Sequence, residues 1–470
     1  MIMKFIKKKK IILFLIIIFF SILTIIYKNI SNNINLKKNQ ISFLEKNLLT
    51  KELQLENIYL KLKKKNINLE NLIFSEGIIF TKKNSTEFKI GKFNYIFDEF
   101  YSNDIIFAKH PEASSSAYIE NDNNHLFLIT ATGQMAHLDK NLIDKIELNF
   151  RPIKTNIQDL IKYKEFYKSS GFGIKDALIH ENNIYLSYIK EHYKACFSTS
   201  ILFGPLNITS INFQEFYTPK KCVEKSDKFY NSHEHDYLVP QQSGGRMIAH
   251  NDNIIFSTGE FRYRILAQDL ESDFGKILSI NLKNNEKKII SLGHRNPQGL
   301  YVDNDLNYLF STEHGPSGGD EINLIDLNDD KTLNFGWPIS SYGKHYFDSK
   351  NDVRYELSPL YKSHKKYGFE EPLKYFDPSV GISQIIGLKK NFYDSNYKSF
   401  LVGTMGTAKK LKEGMISLIF FEFDALKKKL VNYELIPIKS RVRDMIYLEE
   451  ENIVLMYLEN NNSIGVFRKK

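Results

Sequence analysis

SLGHRNPQGLYVDNDLNYLFSTEHGPSGGDE, residues 291–321, opens on a polar knot, His294-Arg295-Asn296-Pro297-Gln298-Gly299. It passes through a strand-like Tyr308-Leu309-Phe310 and closes on a turn, His314-Gly315-Pro316-Ser317-Gly318-Gly319, followed by Asp320-Glu321. Turn residues at this density fix the backbone and leave its amides and carbonyls free to face a ligand. Arg295 offers a planar fork of donors suited to a carboxylate, and Asn296 both donates and accepts. A structural turn between two strands is the plain alternative, since an Arg-Asn pair is a weak signal by itself.

Working outward, an Asn/Asp/Glu-rich turn followed by a short run of β-formers recurs six times. The runs are Asn124–Thr130, Asn182–Tyr188, Asp252–Thr258, Leu306–Thr312, Ser399–Thr404 and Glu451–Tyr457. A supersecondary unit repeating at intervals of tens of residues predicts propeller blades. A β-sandwich also has short strands but not this recurrence.

The motifs resemble those of the glucose/sorbosone dehydrogenase family, the soluble quinoprotein sugar dehydrogenases. The likeness includes Phe335-Gly336-Trp337-Pro338 and a downstream Arg441-Val442-Arg443-Asp444. The resemblance implies an all-β, six-bladed β-propeller over 73–470 that binds pyrroloquinoline quinone and calcium on its axis. It implies that Arg295, Asn296, Arg441 and Arg443 hold the quinone, a planar tricarboxylate suited to arginine. It also implies that the carbonyls of Gly315 and Pro316 ligate the calcium, a hard ion satisfied by oxygen. Asp320 and Glu321 read as supports of that loop.

The catalytic base departs from the family. A His-x-Gly-Gly-Arg-like motif reads here Gln242-Ser243-Gly244-Gly245-Arg246, which puts Gln242 at the catalytic position. An amide accepts no proton at neutral pH. His233 and His235 stand nearby in sequence. The family's early Gln-containing glycine segment becomes Ser170-Gly171-Phe172-Gly173-Ile174-Lys175-Asp176. The expected cofactor lysine falls near Gly406, with Lys409 and Lys410 following. The Trp over the family's sugar pocket is replaced around Tyr375-Phe376-Asp377. Two functions follow: a quinone- and calcium-dependent dehydrogenase oxidising a sugar hydroxyl, or a catalytically degenerate propeller that binds carbohydrate or protein.

The 470 residues carry a net charge of +9. Residues 1–72 hold 14 Lys and 4 Glu with neither Asp nor Arg, a surplus of ten that leaves residues 73–470 at −1. A near-neutral large domain argues against a nucleic-acid partner. After a basic tail (1–10), the apolar run 11–27 predicts a transmembrane anchor, with a cleaved signal peptide as its rival. The lysines before it would stay cytoplasmic, placing the propeller on the extracytoplasmic (periplasmic) side.

Residues 28–72 read as a helical stalk. Ile41, Leu48, Leu55, Leu62 and Leu69 repeat every seven residues, which fits a coiled coil joining copies of the chain through 41–72 or a helix packed on its own propeller. Cys196 and Cys222 are the two cysteines. An oxidising compartment would pair them; two buried thiols are the alternative.

Overall fold

Each of the six recurring runs is the second strand of an antiparallel meander in the computed structural model, which describes residues 77–102, 116–224, 240–346, 357–406 and 412–470. The meanders begin with the strands Ala117–Asn121, Ile174–His180, Gly244–His250, Pro297–Asp303, Ile382–Leu388 and Val442–Leu448, here blades 1 to 6. These six first strands neighbour one another in sequence order, and the sixth returns to the first, so they ring an axis. The fold is all-β and propeller-like, with only short helical turns among the described residues. No two of the six recurring strands pair with each other.

Local chemistry accounts for the recurrence. In blade 2, Glu181 and Asn182 have φ of 47° and 60° between the paired residues His180 and Asn183. That is the left-handed geometry a two-residue hairpin needs, and Asn tolerates it best after Gly. Asn251, Asn307 and Asn452 also take positive φ between the first two strands of blades 3, 4 and 6. The second and third strands lose the alternation of a half-exposed sheet because both of their faces are covered. Ile453–Leu458 and Leu418–Asp424 are buried at every position.

The core is therefore divided among the blade interfaces. Blades 1 and 2 meet through Phe127, Ile129, Ile174 and Leu186, and blades 2 and 3 through Tyr185, Ile201, Ile254 and Phe256. Ile255, Ile277, Leu300 and Leu309 join blades 3 and 4, and Phe310, Ile322, Ile385 and Phe400 join blades 4 and 5. Leu401, Phe420, Met445 and Val454 join blades 5 and 6. Leu126, Leu128, Leu448 and Leu455 join blades 6 and 1. Each fully buried side chain of this size contributes about 1.5–3 kcal/mol.

The ring closes between chain ends. The hairpin Ile78–Ile90/Phe93–Ser102 pairs on one side with Ser463–Lys469 of blade 6 and on the other with Glu147–Thr155 of blade 1. This merges the two blades into one 10-stranded sheet. Cys196 and Cys222 are disulfide-bonded across a sequence separation of 26 in blade 2, with Cα atoms 5.5 Å apart.

The expected localisation is corrected. Among the described residues no helix is long and apolar enough to cross a membrane, so a membrane anchor finds no support. The anchor at 11–27 and the stalk with its coiled-coil seam at 28–72 lie outside the described residues, as do His233, His235, Lys409 and Lys410.

Candidate functional site

The first strands of blades 2 to 6 all break register near their N-terminal ends. The unpaired residues are Lys175 in blade 2, Gly245 and Arg246 in blade 3, and Gln298 in blade 4. Blade 5 leaves out Ser383 and Gln384, and blade 6 leaves out Arg443. A bulge frees a residue from the ladder and re-aims its side chain. Here that concentrates polar side chains at one end of the axis.

Lys175, Arg246, Gln298 and Arg443 line a cavity of ≈ 220 Å³, sized for a small molecule. Gln242, Asn296, His314, Arg441 and Tyr118 complete much of the wall.

Arg246 is the hub. Its Nη1 donates to Asp176 of blade 2 at 2.7 Å and to Asp444 of blade 6 at 2.6 Å. Its Nη2 donates to the Arg443 carbonyl and its Nε to the Gln298 carbonyl, each at 2.7 Å, and the guanidinium lies 5.4 Å from the Tyr118 ring centre. One side chain thus joins five blades. Burial, opposed by Arg246 and reinforced by Asp444, pushes the Asp176 carboxyl up to about 7.

Arg441 and Arg443 share a single carboxylate. Arg441 Nη2 and Arg443 Nε donate to Glu459 at 3.1 and 2.5 Å. Burial would raise Glu459, but Arg443 and then Arg441 outweigh it and hold the carboxyl at about 2. Lys175 adds a further basic group without a carboxylate partner among the described residues. Three guanidiniums and an amine therefore border the cavity against the three carboxylates they pair with, Asp176, Asp444 and Glu459, a surplus of one basic group that an anion would neutralise.

The expected quinone residues come together in part. Asn296, Arg441, Arg443 and Gln242 line the cavity. Arg295 does not: it sits behind the wall, its Nη1 donating to the carbonyls of His314 at 3.1 Å and Gly315 at 2.6 Å, its guanidinium 5.4 Å from the Trp337 ring centre.

Gln242 joins the two regions. With its amide oriented to match its neighbours, its nitrogen donates to Glu260 and its oxygen accepts from Arg295 Nη2 at 2.8 Å. Gln242 holds a φ of 58°, and a Cβ on Gly259 would lie 1.9 Å from its carbonyl oxygen, so this approach requires glycine at 259.

Both expected calcium carbonyls already accept hydrogen bonds, Gly315 from Arg295 and Pro316 from Ser379 Oγ at 3.1 Å. A carbonyl keeps a second lone pair, so these bonds do not exclude a calcium ion, but the Arg295 guanidinium beside the Gly315 oxygen would oppose one. Among the described residues, the cluster with metal-ligand potential is His125, His137 and Asp139, none of which lines the cavity.

Asp320 is a loop support: it accepts from the amides of Gly315, Val380, Gly381 and Ile382 at 2.7–3.1 Å, tying the Gly-Pro turn to blade 5. Glu321 faces His364 Nε2 at 3.2 Å. Glu313, which sequence reasoning passed over, holds His294 Nδ1, the Arg295 amide and Asn323.

Fold and site together define a β-propeller with a cationic, small-molecule cavity at one end of its axis. Residues 153–465 match the Glucose / Sorbosone dehydrogenase family, and the chain belongs to that family. It is 32% identical over 167 residues to the aldose sugar dehydrogenase YliI of Escherichia coli, covering 33% of this chain and 41% of that one. It is 40% identical over 83 residues to quinoprotein glucose dehydrogenase B of Acinetobacter calcoaceticus, 15% of this chain and 16% of that one. The chain spans less than half the length of the curated relatives it matches. The crystal structure of the apo form of the soluble E. coli aldose sugar dehydrogenase shares the fold at a TM-score of 0.55 and 18% identity, over 76% of this chain and 97% of that one.

Proposed function

We propose that this protein is a quinoprotein sugar dehydrogenase that binds pyrroloquinoline quinone in the axial cavity and acts on an aldose. The observation that carries the reading is the cationic surplus: Arg246, Arg441, Arg443 and Lys175 line one cavity against the three carboxylates of Asp176, Asp444 and Glu459. A planar tricarboxylate matches such a wall, because guanidinium forks bind carboxylates with directed pairs of hydrogen bonds. The names of its relatives, an aldose sugar dehydrogenase and a quinoprotein glucose dehydrogenase, support the same class.

When bound, the quinone would supply the two-electron oxidation of a sugar hydroxyl. The chain's own residues bind and orient. Arg441 and Arg443 hold carboxylates, and their second hydrogen bonds, to the Met405 carbonyl and Gln298 Oε1, keep the guanidinium planes from swinging away. Asn296, whose Oδ1 is held by the Gly244 amide, presents its Nδ2 near His314 Nδ1. The proposal routes nothing through calcium.

Gln242 favours a second reading. Its amide is no base, and both of its ends are committed to Glu260 and Arg295. A propeller that binds a carboxylate-bearing ligand without oxidising a sugar fits that residue. A dye-linked assay on protein loaded with the quinone separates the two. Aldose-dependent dye reduction supports the dehydrogenase, while quinone retention without reduction over a panel of aldoses supports the binding module.

A further inference from the structure

Two lysines, Lys276 fully buried and Lys175 half-buried, have very different surroundings. Lys276 gives its three N–H bonds to three carbonyls, those of Leu266, Ala267 and Phe274, at 2.7–3.0 Å. Lys175 gives only two, to the carbonyls of Ser170 at 2.8 Å and Gly171 at 2.7 Å, and it lines the cavity. Its third N–H has no protein partner among the described residues. Lys175 is also the bulge residue of blade 2, in the place that Arg246 and Arg443 occupy in blades 3 and 6. Those arginines have carboxylate partners in Asp176, Asp444 and Glu459. Among the described residues Lys175 has none.

We propose that Lys175 is a ligand-binding cation of this cavity, its third N–H reserved for a carboxylate of the bound molecule. Its role would be the one expected of the family's cofactor lysine, whose place in this sequence falls near Gly406. The identity of the ligand rests on the quinone reading above; the role of Lys175 does not.

The surroundings make this contact pH-dependent. Burial first, then the nearby positive Arg443, push Lys175 down to about 7, with Glu459 pulling weakly the other way. Arg246 also faces the group but is neutralised by Asp176 and Asp444, and Tyr118 is pushed too high by burial to ionise. The free protein thus holds Lys175 about half charged at pH 7, whereas a carboxylate beside it stabilises the ammonium. Binding takes up a proton. Below pH 7 the proton is already present and affinity is flat; above pH 7 affinity falls by up to about tenfold per pH unit.

The test titrates pyrroloquinoline quinone into the full chain from pH 6 to 9, with Lys175→Met and Lys175→Arg in parallel and circular dichroism to verify folding. The wild type is expected to weaken above pH 7. Lys175→Met should bind about 10- to 100-fold more weakly at pH 6, with a flat profile. Lys175→Arg, always charged, should bind without the decline and keeps the test decisive if the Met variant misfolds. Wild-type affinity and slope in Lys175→Met would overturn the assignment while leaving the quinone reading intact. If the quinone does not bind, benzene-1,3,5-tricarboxylate is the second probe. Binding that depends on Lys175 would then uphold the lysine and sink the quinone; binding independent of Lys175, or no binding, would overturn the proposal.

Discussion

Replacing Arg246 by Met keeps the length of the side chain and removes its charge. Two buried carboxylates then lose the cation that sits 2.7 and 2.6 Å from them, and two carbonyls lose a charged donor. Breaking a buried pair from one side costs about 3–5 kcal/mol, because the stranded charge is worse than no pair at all. Part of that cost is relieved by Asp176, which is already pushed up to about 7 by burial and takes a proton readily. Asp444 keeps one remaining hydrogen bond, from the Ile119 amide at 2.8 Å. The expected loss is therefore about 3 kcal/mol at pH 7.5, a large share of a typical stability of about 5–15 kcal/mol.

Urea unfolding measures it, followed by far-UV circular dichroism and by the single Trp, Trp337, which lies beneath Arg264 and Arg295. With m at about 3 kcal/mol/M, the midpoint drops by about 1 M. Asp176→Asn behaves oppositely. A carboxyl raised in the folded state holds a proton that the unfolded chain has released, so the wild type loses stability as pH rises from about 4 to 7. The Asn variant lacks that decline. A loss below about 1 kcal/mol in Arg246→Met would refute the hub.

Glu459 gives the reverse pH signature. Its carboxyl is held at about 2, so its contribution is complete above about pH 4.5 and is lost as pH falls toward 2. The change amounts to about 3 kcal/mol, and Glu459→Gln should flatten that stretch of a stability–pH curve. Replacing Cys196 and Cys222 by Ser should cost about 3 kcal/mol in a denaturant titration, from the entropy of the opened loop; an unchanged midpoint would contradict the bond. Gln242→His restores a titratable nitrogen at the cavity wall. Dye-linked aldose oxidation by the quinone-loaded protein should rise by at least about tenfold, within the usual range of general-base effects. No gain with quinone bound would show that Gln242 is not where the base is missing.

The blades were legible because their second strands carry an Asn turn and a continuous apolar run, as in Glu451–Tyr457, and both are short-range signals. Their closure was not. The hairpin from Ile78 to Ser102 pairs with Ser463–Lys469, a contact between chain ends that no local pattern encodes.

The site divides the same way. Asn296, Arg441, Arg443 and Gln242 were found through motifs, and they reach one cavity. Arg295 was expected to face the ligand but turns to the Gly315 carbonyl, because Glu313 fixes its amide and Trp337 receives its guanidinium. Arg246 and Lys175 stand within the same glycine-rich motifs, but nothing local marks them as cavity residues. What turns them inward is a bulge, a mismatch between two strands that only pairing reveals. A charged residue beside glycines at the start of an apolar strand, as in Gly173-Ile174-Lys175 and Gly244-Gly245-Arg246, was the available clue.

The most direct test of the account is equilibrium dialysis of the purified chain against pyrroloquinoline quinone, with and without EDTA, beside an Arg441→Met/Arg443→Met variant whose folding is verified. The account predicts one quinone per wild-type chain, retained in EDTA because arginines rather than a cation hold its carboxylates, and at least about tenfold weaker binding in the variant. No quinone retained by the wild type, or equal retention by the variant, would contradict it.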